Sequence, residues 1–176
     1  VEEKAKIRVV HDGSNGVHIN HRIRVLDQVR CPGAGEIRTI MKDRAECGLG
    51  SFAILGDISK AHRRIKVRES DWCYQACQLE PGTVWLNKVG TYGMGSAAYW
   101  WGRLAAAVIV RLPLYLSSPA FLMEVLLYVD DVLFLAACKE GIVWIGSILL
   151  FLVALGVPFR WDKCRGGTKV EWIGYW

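Results

Sequence analysis

The stretch Leu126-Leu127-Tyr128-Val129-Asp130-Asp131-Val132-Leu133-Phe134-Leu135 decides the fold. Two adjacent carboxylates stand at the centre of a ten-residue apolar segment. Burying an ionised carboxylate costs several kcal/mol unless a cation or hydrogen bonds compensate. Packing therefore gives no reason for Asp-Asp here. The simplest geometry is a strand, a tight turn at the two Asp residues and a returning strand. Such a hairpin, predicted over residues 124–136, presents both carboxylates at one edge of a sheet, where a hard divalent cation such as Mg²⁺ could bind. A third carboxylate, Asp57, ends the apolar run Phe52-Ala53-Ile54-Leu55-Gly56. Alone it would read as a helix N-cap. Beside the hairpin it completes the carboxylate set that two-metal phosphoryl transfer requires.

Outward from these two strands the pattern is α+β. A strand is expected over Ile7–Val10, then a turn-rich segment from His11 to Gly16. Ile37–Glu46 has the makings of a helix. Trp72–Leu79 alternates large residues as a strand does, and Thr83–Lys88 reads as its neighbour. A glycine-rich turn, Gly90–Gly95, leads into a helix over Ser96–Leu112 that Pro113 is expected to stop. Gly141–Leu155 is a second apolar helix, closed by Gly156 and Pro158. Its apolar core is shorter than the roughly 20 residues a membrane span needs, so a helix buried against a sheet is expected, and no membrane. Phe159–Trp161 and Val170–Tyr175 close the chain as short strands or loops.

The chain has 176 residues, 52% apolar and 22% charged, which excludes disorder and allows one domain with a real core. Its net charge of +5 lies entirely in residues 1–70, where 14 Lys and Arg face 9 Asp and Glu; the rest is balanced at 8 against 8. That asymmetry suits either a solvated surface or a phosphate-binding face. None of the six cysteines has zinc-ligand spacing. With no signal peptide in view, reduced thiols and an intracellular location are expected. The chain starts at Val1, without a Met, and reads as a piece cut from a longer polyprotein or gene.

These motifs, in this order, resemble the catalytic core of a reverse transcriptase of the kind carried by retroelements. Lys6-Ile7-Arg8-Val9-Val10-His11-Asp12, with Ile19-Asn20, is similar to the family's fingers segment. Leu55-Gly56-Asp57-Ile58-Ser59-Lys60-Ala61-His62 resembles its first catalytic motif, and Tyr92-Gly93-Met94-Gly95-Ser96-Ala97-Ala98 its glycine-containing loop. Tyr128-Val129-Asp130-Asp131 matches the YxDD box. Gly156-Val157-Pro158-Phe159 with Asp162-Lys163-Cys164, and then Val170-Glu171-Trp172-Ile173-Gly174-Tyr175, resemble the lysine motif and the primer grip.

The resemblance implies a polymerase palm, a ferredoxin-like antiparallel sheet with helices on one face, over residues 51–176. Residues 1–50 would be partial fingers, and the thumb is absent. It implies an RNA-directed DNA polymerase that transfers dNTPs onto a primer 3′ end by two-metal chemistry. Asp57, Asp130 and Asp131 would be catalytic and would hold two Mg²⁺ ions, with Mn²⁺ as a substitute. Lys163 would donate a proton to the leaving pyrophosphate. Arg8, the backbone N–H of Ile58, His62 and Gly93 would bind the nucleotide. Tyr128, Trp172 and Gly174 would meet the primer and its RNA or DNA template. The sequence departs from the family at His62, where a Tyr or Phe ring normally excludes a 2′-OH, and at Ala98, normally Pro. The alternative is a catalytically inactive retroelement remnant that at most binds nucleic acid.

Overall fold

The computed structural model describes residues 10–117 and 123–175. Helices α1 (Ile19–Arg22) and α2 (Ala34–Glu46) precede strand β1 (Phe52–Asp57). Two 3₁₀ segments, Ala61–Arg64 and Glu69–Gln75, lead to β2 (Ala76–Glu80) and β3 (Thr83–Leu86). Helix α3 (Gly95–Ala105), a π-helical stretch (Ala106–Arg111) and α4 (Leu112–Leu116) follow. The chain then forms β4 (Met123–Tyr128), β5 (Asp131–Ala136), α5 (Lys139–Ala154), a 3₁₀ turn at Trp161–Lys163 and β6 (Arg165–Gly167). The chain folds into two compact units, each built from two stretches: residues 1–28 with 62–101, and 29–61 with 102–176.

The second unit is built on a four-stranded antiparallel sheet in the order β4-β5-β1-β6. β5 is buried at every position after Asp131, so both faces at the centre of the sheet are covered. Ala53 faces Leu135, Leu55 faces Leu133 and Asp57 faces Asp131. Those residues share one face of the sheet, since successive side chains alternate. There Ala53, Leu133 and Leu135 pack with Trp172 and with Ile37 and Ile40 of α2. The buried Arg44 of α2 ties this face down by pairing with Glu124 and donating to the Leu135 carbonyl at 3.2 Å. The other face carries Val132, Phe134 and Ala136, all 1% exposed or less. Helix α5 packs against β5 and buries Gly141, Ile145, Ile148 and Leu152, a stripe at helical spacing. That is the buried-helix outcome expected for this segment. Among the described residues, no helix is long and apolar enough to cross a membrane.

Gly56 is required by packing. A Cβ there would lie 2.9 Å from Val132 Cγ1 and 3.0 Å from the Phe159 ring. Two expectations fail locally. Trp72–Gln75 is 3₁₀ rather than strand, because the Trp72 indole donates back to the Val67 carbonyl at 3.0 Å, which curls the segment. Pro113 does not end the helix. The π-helical stretch before it shifts the hydrogen-bond pattern, so Pro113 falls in the first turn of α4, where its missing N–H costs nothing.

The first unit holds the antiparallel β2–β3 hairpin, whose register slips between Gln78 and Glu80. It also holds the 11–20 segment and the loop before α3. Lys88 Nζ sits 4.7 Å above the Trp72 ring, a cation–π contact within this unit.

Candidate active site

Asp57 ends β1 and Asp131 begins β5, and the two are partners in the ladder. The connection from β4 is as tight as a hairpin allows: Tyr128 pairs with Asp131, leaving only Val129 and Asp130 between the strands. Val129 takes φ 55°. A β-branched residue in this left-handed region is strained by about 1–2 kcal/mol, where glycine would carry almost no penalty. The turn is held by Ile58 N–H donating to the Asp130 carbonyl at 2.8 Å.

Asp57 is buried and its charge is compensated. Lys163 Nζ donates to its Oδ2 at 2.7 Å, and the Arg160 guanidinium lies 3.7 Å from its Oδ1. The Arg160 N–H also donates to the Asp57 carbonyl at 2.7 Å. Asp131 is less well served. Burial first, then the charges of Asp130 and Asp57, push its carboxyl above the usual carboxylate range, and Lys163 pulls it partly back. A cavity of about 220 Å³ opens beside the pair, lined among others by Asp57, Asp131, Lys163, Arg165 and Glu171.

The two carboxylates are the hard oxygen donors that Mg²⁺ takes, usually one or two together with water and substrate phosphates. Their crowding is the charge excess a divalent cation would relieve. Among the described residues, however, no three His, Cys, Asp or Glu side chains stand together ready to hold a metal ion. Lys163 and Arg160 occupy the oxygens of Asp57 instead. The donor set fits the ion in kind, with the lysine in competition for one oxygen.

The other predicted residues fall as follows. The Ile58 N–H, expected to serve a triphosphate, is committed to Asp130, and the Ser59 N–H donates to Pro158 O at 2.8 Å. In this structure the tight strand end uses both donors to hold the turn and the 158–160 segment. Tyr128 lies on the carboxylate face, partly exposed. Trp172 is buried in the core of that face, and the Ile173-Gly174 turn beyond it is closed by reciprocal Trp172–Tyr175 backbone bonds of 2.8 and 2.9 Å. His62 and Gly93 belong to the first unit, where His62 makes an edge contact with the Tyr92 ring at 5.5 Å. Arg8 lies outside the described residues, as does most of the strand expected over Ile7–Val10.

Sequence reasoning missed Arg160. Its signal was faint: one basic residue just after Phe159, the partner of Ile58 in an isolated bridge that carries the 158–160 segment alongside Asp57. Arg165 and Glu171 were also missed, since nothing in their local sequence marks them as neighbours of Asp57.

No protein-family model matches this sequence, and no curated protein matches it. Its likeness is to solved structures. One is the structure of apo telomerase from Candida tropicalis truncated from the C-terminal domain, with a TM-score of 0.54 at 11% identity over 76% of this chain and 34% of that one. The present chain thus spans about a third of that neighbour's length. Such a likeness shows the fold alone: a palm-like antiparallel sheet with packed helices, the carboxylates of β1 and β5 together at one end.

Proposed function

We propose that this protein is an RNA-directed DNA polymerase of the retroelement type, acting inside the cell. It would add dNTPs to a primer 3′ end on an RNA or DNA template. The observation that carries this reading is the in-register pairing of Asp57 with Asp131, beside a strained two-residue turn that holds Asp130, at one end of a palm-like sheet. Asp57, Asp130 and Asp131 would hold two Mg²⁺ ions, or Mn²⁺ in their place. Bound there, the metal would offset charge on the attacking and leaving oxygens of an in-line displacement.

The chain's own residues supply the rest. Lys163, 2.7 Å from Asp57, would give a proton to the leaving pyrophosphate. Arg8 would grip the triphosphate, its planar fork matching phosphate oxygens. Gly93 and His62 would contact the nucleotide. Tyr128, on the carboxylate face, and the Ile173-Gly174 turn anchored by buried Trp172 would meet the primer.

The test is Mg²⁺-dependent extension of a DNA primer on an RNA template by the wild type and by Asp130→Asn. The expected result is extension that the substitution lowers roughly 100-fold or more. Equal extension by both proteins overturns the assignment of the site. No extension by either favours the inactive-remnant alternative.

A further inference from the structure

Within the first unit, Asn20 bonds to two places more than seventy residues away. Its Nδ2 donates to the Gly93 carbonyl at 2.8 Å, and its Oδ1 accepts from the Gly95 N–H at 2.9 Å. Nδ2 also donates to Ser14 Oγ at 2.9 Å, and the Asn20 backbone N–H donates to the Gly13 carbonyl at 2.8 Å. One planar amide thus does for the 93–95 loop what a neighbouring strand's peptide group would do. A donor and an acceptor side by side is the property that sets Asn and Gln apart from Asp, Ser and Thr.

The surroundings are shaped for this contact. Asp12 braces the segment that carries Ser14. Its Oδ1 accepts from the Ser14 and Asn15 N–H groups at 2.9 and 3.0 Å, and its Oδ2 from Asn15 Nδ2 at 2.8 Å. These hydrogen bonds hold the Asp12 carboxyl below its usual range. His11 N–H donates to the Tyr92 carbonyl at 2.8 Å. Both sides are cut back to let the backbones meet. A Cβ on Gly13 would lie 2.7 Å from Met94 Sδ, and one on Gly93 would lie 2.0 Å from His11 O. Gly93 itself holds φ 92°, a conformation that needs an external clamp to be the single populated one.

We propose that Asn20 is a positioning residue for nucleotide binding. It locks the Gly93–Gly95 loop in one conformation so that the backbone at Gly93 meets the incoming nucleotide already ordered. This rests on the polymerase reading above and adds to it a residue with no direct substrate contact.

The experiment compares wild type, Asn20→Ala and Asn20→Asp in primer extension with varied dNTP concentration, and in amide hydrogen exchange of the free protein. Asn20→Asp keeps the size of the side chain and the acceptor for Gly95 N–H but sets an oxygen against the Gly93 carbonyl, so it removes the donor alone and is the second test of the clamp beside Asn20→Ala. The expected result is a KM for dNTP raised about tenfold in both variants, with kcat within about threefold of wild type. Exchange should quicken over residues 93–97 while β5 stays protected. Unchanged KM in both variants, or a fall in kcat at constant KM, overturns the positioning role. Unchanged exchange over residues 93–97 overturns the clamp itself. A wild type that extends no primer refutes the polymerase reading and the nucleotide role with it, and the exchange result then still decides whether Asn20 orders the loop.

Discussion

Replacing Asp131 by Asn should make the metal-free protein more stable at neutral pH. Asp131 and Asp57 are ladder partners, whose Cβ atoms lie about 4.5–5.5 Å apart. Two unit charges at that distance repel by about 3 kcal/mol at an effective dielectric near 20, the figure for pairs close to a protein surface. Asp131 is only half-buried and Lys163 offsets part of the repulsion, so about 1 kcal/mol is the size to expect. Asn keeps the shape of the side chain and removes the charge. For a chain of this length the gain corresponds to a Tm about 2–4 °C higher. The pH dependence fixes the sign. A carboxyl whose folded pKa is raised binds its proton more tightly in the native state. Its contribution is fully present below the ordinary carboxylate range and is lost as pH rises through the raised value. Thermal unfolding followed by circular dichroism from pH 4 upward should show the wild type losing ground against Asp131→Asn across that window. Adding Mg²⁺ at about ten times its Kd should return about 1.4 kcal/mol to the wild type and less to the variant. The reasoning is refuted if the variant is no more stable than the wild type at neutral pH, or if the difference between them does not change with pH.

Three further outcomes follow from single contacts. Lys163→Met removes the nearer cation from buried Asp57 and should cost about 1 kcal/mol in metal-free unfolding, a loss that shrinks on titration with Mg²⁺ if the ion takes the lysine's place. Gly93→Ala places a methyl 2.0 Å from the His11 carbonyl at φ 92°, so it should cost at least about 1–3 kcal/mol and speed amide exchange over residues 11–20 and 92–95. Phe134→Ala empties a fully buried site in the sheet and should cost about 3–5 kcal/mol, read from urea unfolding at constant m-value.

The hairpin was legible because its sequence has one satisfactory fold. A carboxylate pair inside an apolar run must reach an edge, and a two-residue turn is the shortest way to bring it there. The role of α5 was legible from its length. The register of Asp57 on Asp131 could be guessed only as proximity, since nothing local to residues 52–57 selects β5 as their neighbour. What stayed hidden depends on long-range closure. Arg44 and Glu124 are 80 residues apart, and Arg160 meets Asp57 from across the chain. Neither pair leaves a periodic trace, because an ion pair needs only two side chains whose meeting point the topology decides. The composition of the two units was hidden for the same reason: residues 29–61 pack with the second half of the chain across an intervening stretch. Pro113 shows the opposite failure, a strong local signal overridden when the preceding turn changed its hydrogen-bond pattern.

The costs of this fold are unevenly spread, and their location is informative. At one end of the sheet, Arg44 is buried but paired with Glu124 and bonded to Ser51 and Leu135, so burial there is compensated. At the other end three costs accumulate where β1 meets the β4–β5 turn: the strained backbone of Val129, the raised carboxyl of Asp131 and the buried charge of Asp57, which takes two cations to hold. A single substitution would relieve either of the first two, glycine at 129 or asparagine at 131, without disturbing the packing of Phe134 or Leu133 beneath. Stability alone therefore gives no account of the sequence at this turn. On the proposed reading, strain and like charge concentrated where a rigid sheet can hold them, beside an open cavity, would serve the binding of positive charge. The Asp131→Asn measurement bears on this directly, since a gain in stability there would be the cost that the wild-type carboxylate imposes on the fold, and its return on adding Mg²⁺ would be the mark of the proposed site.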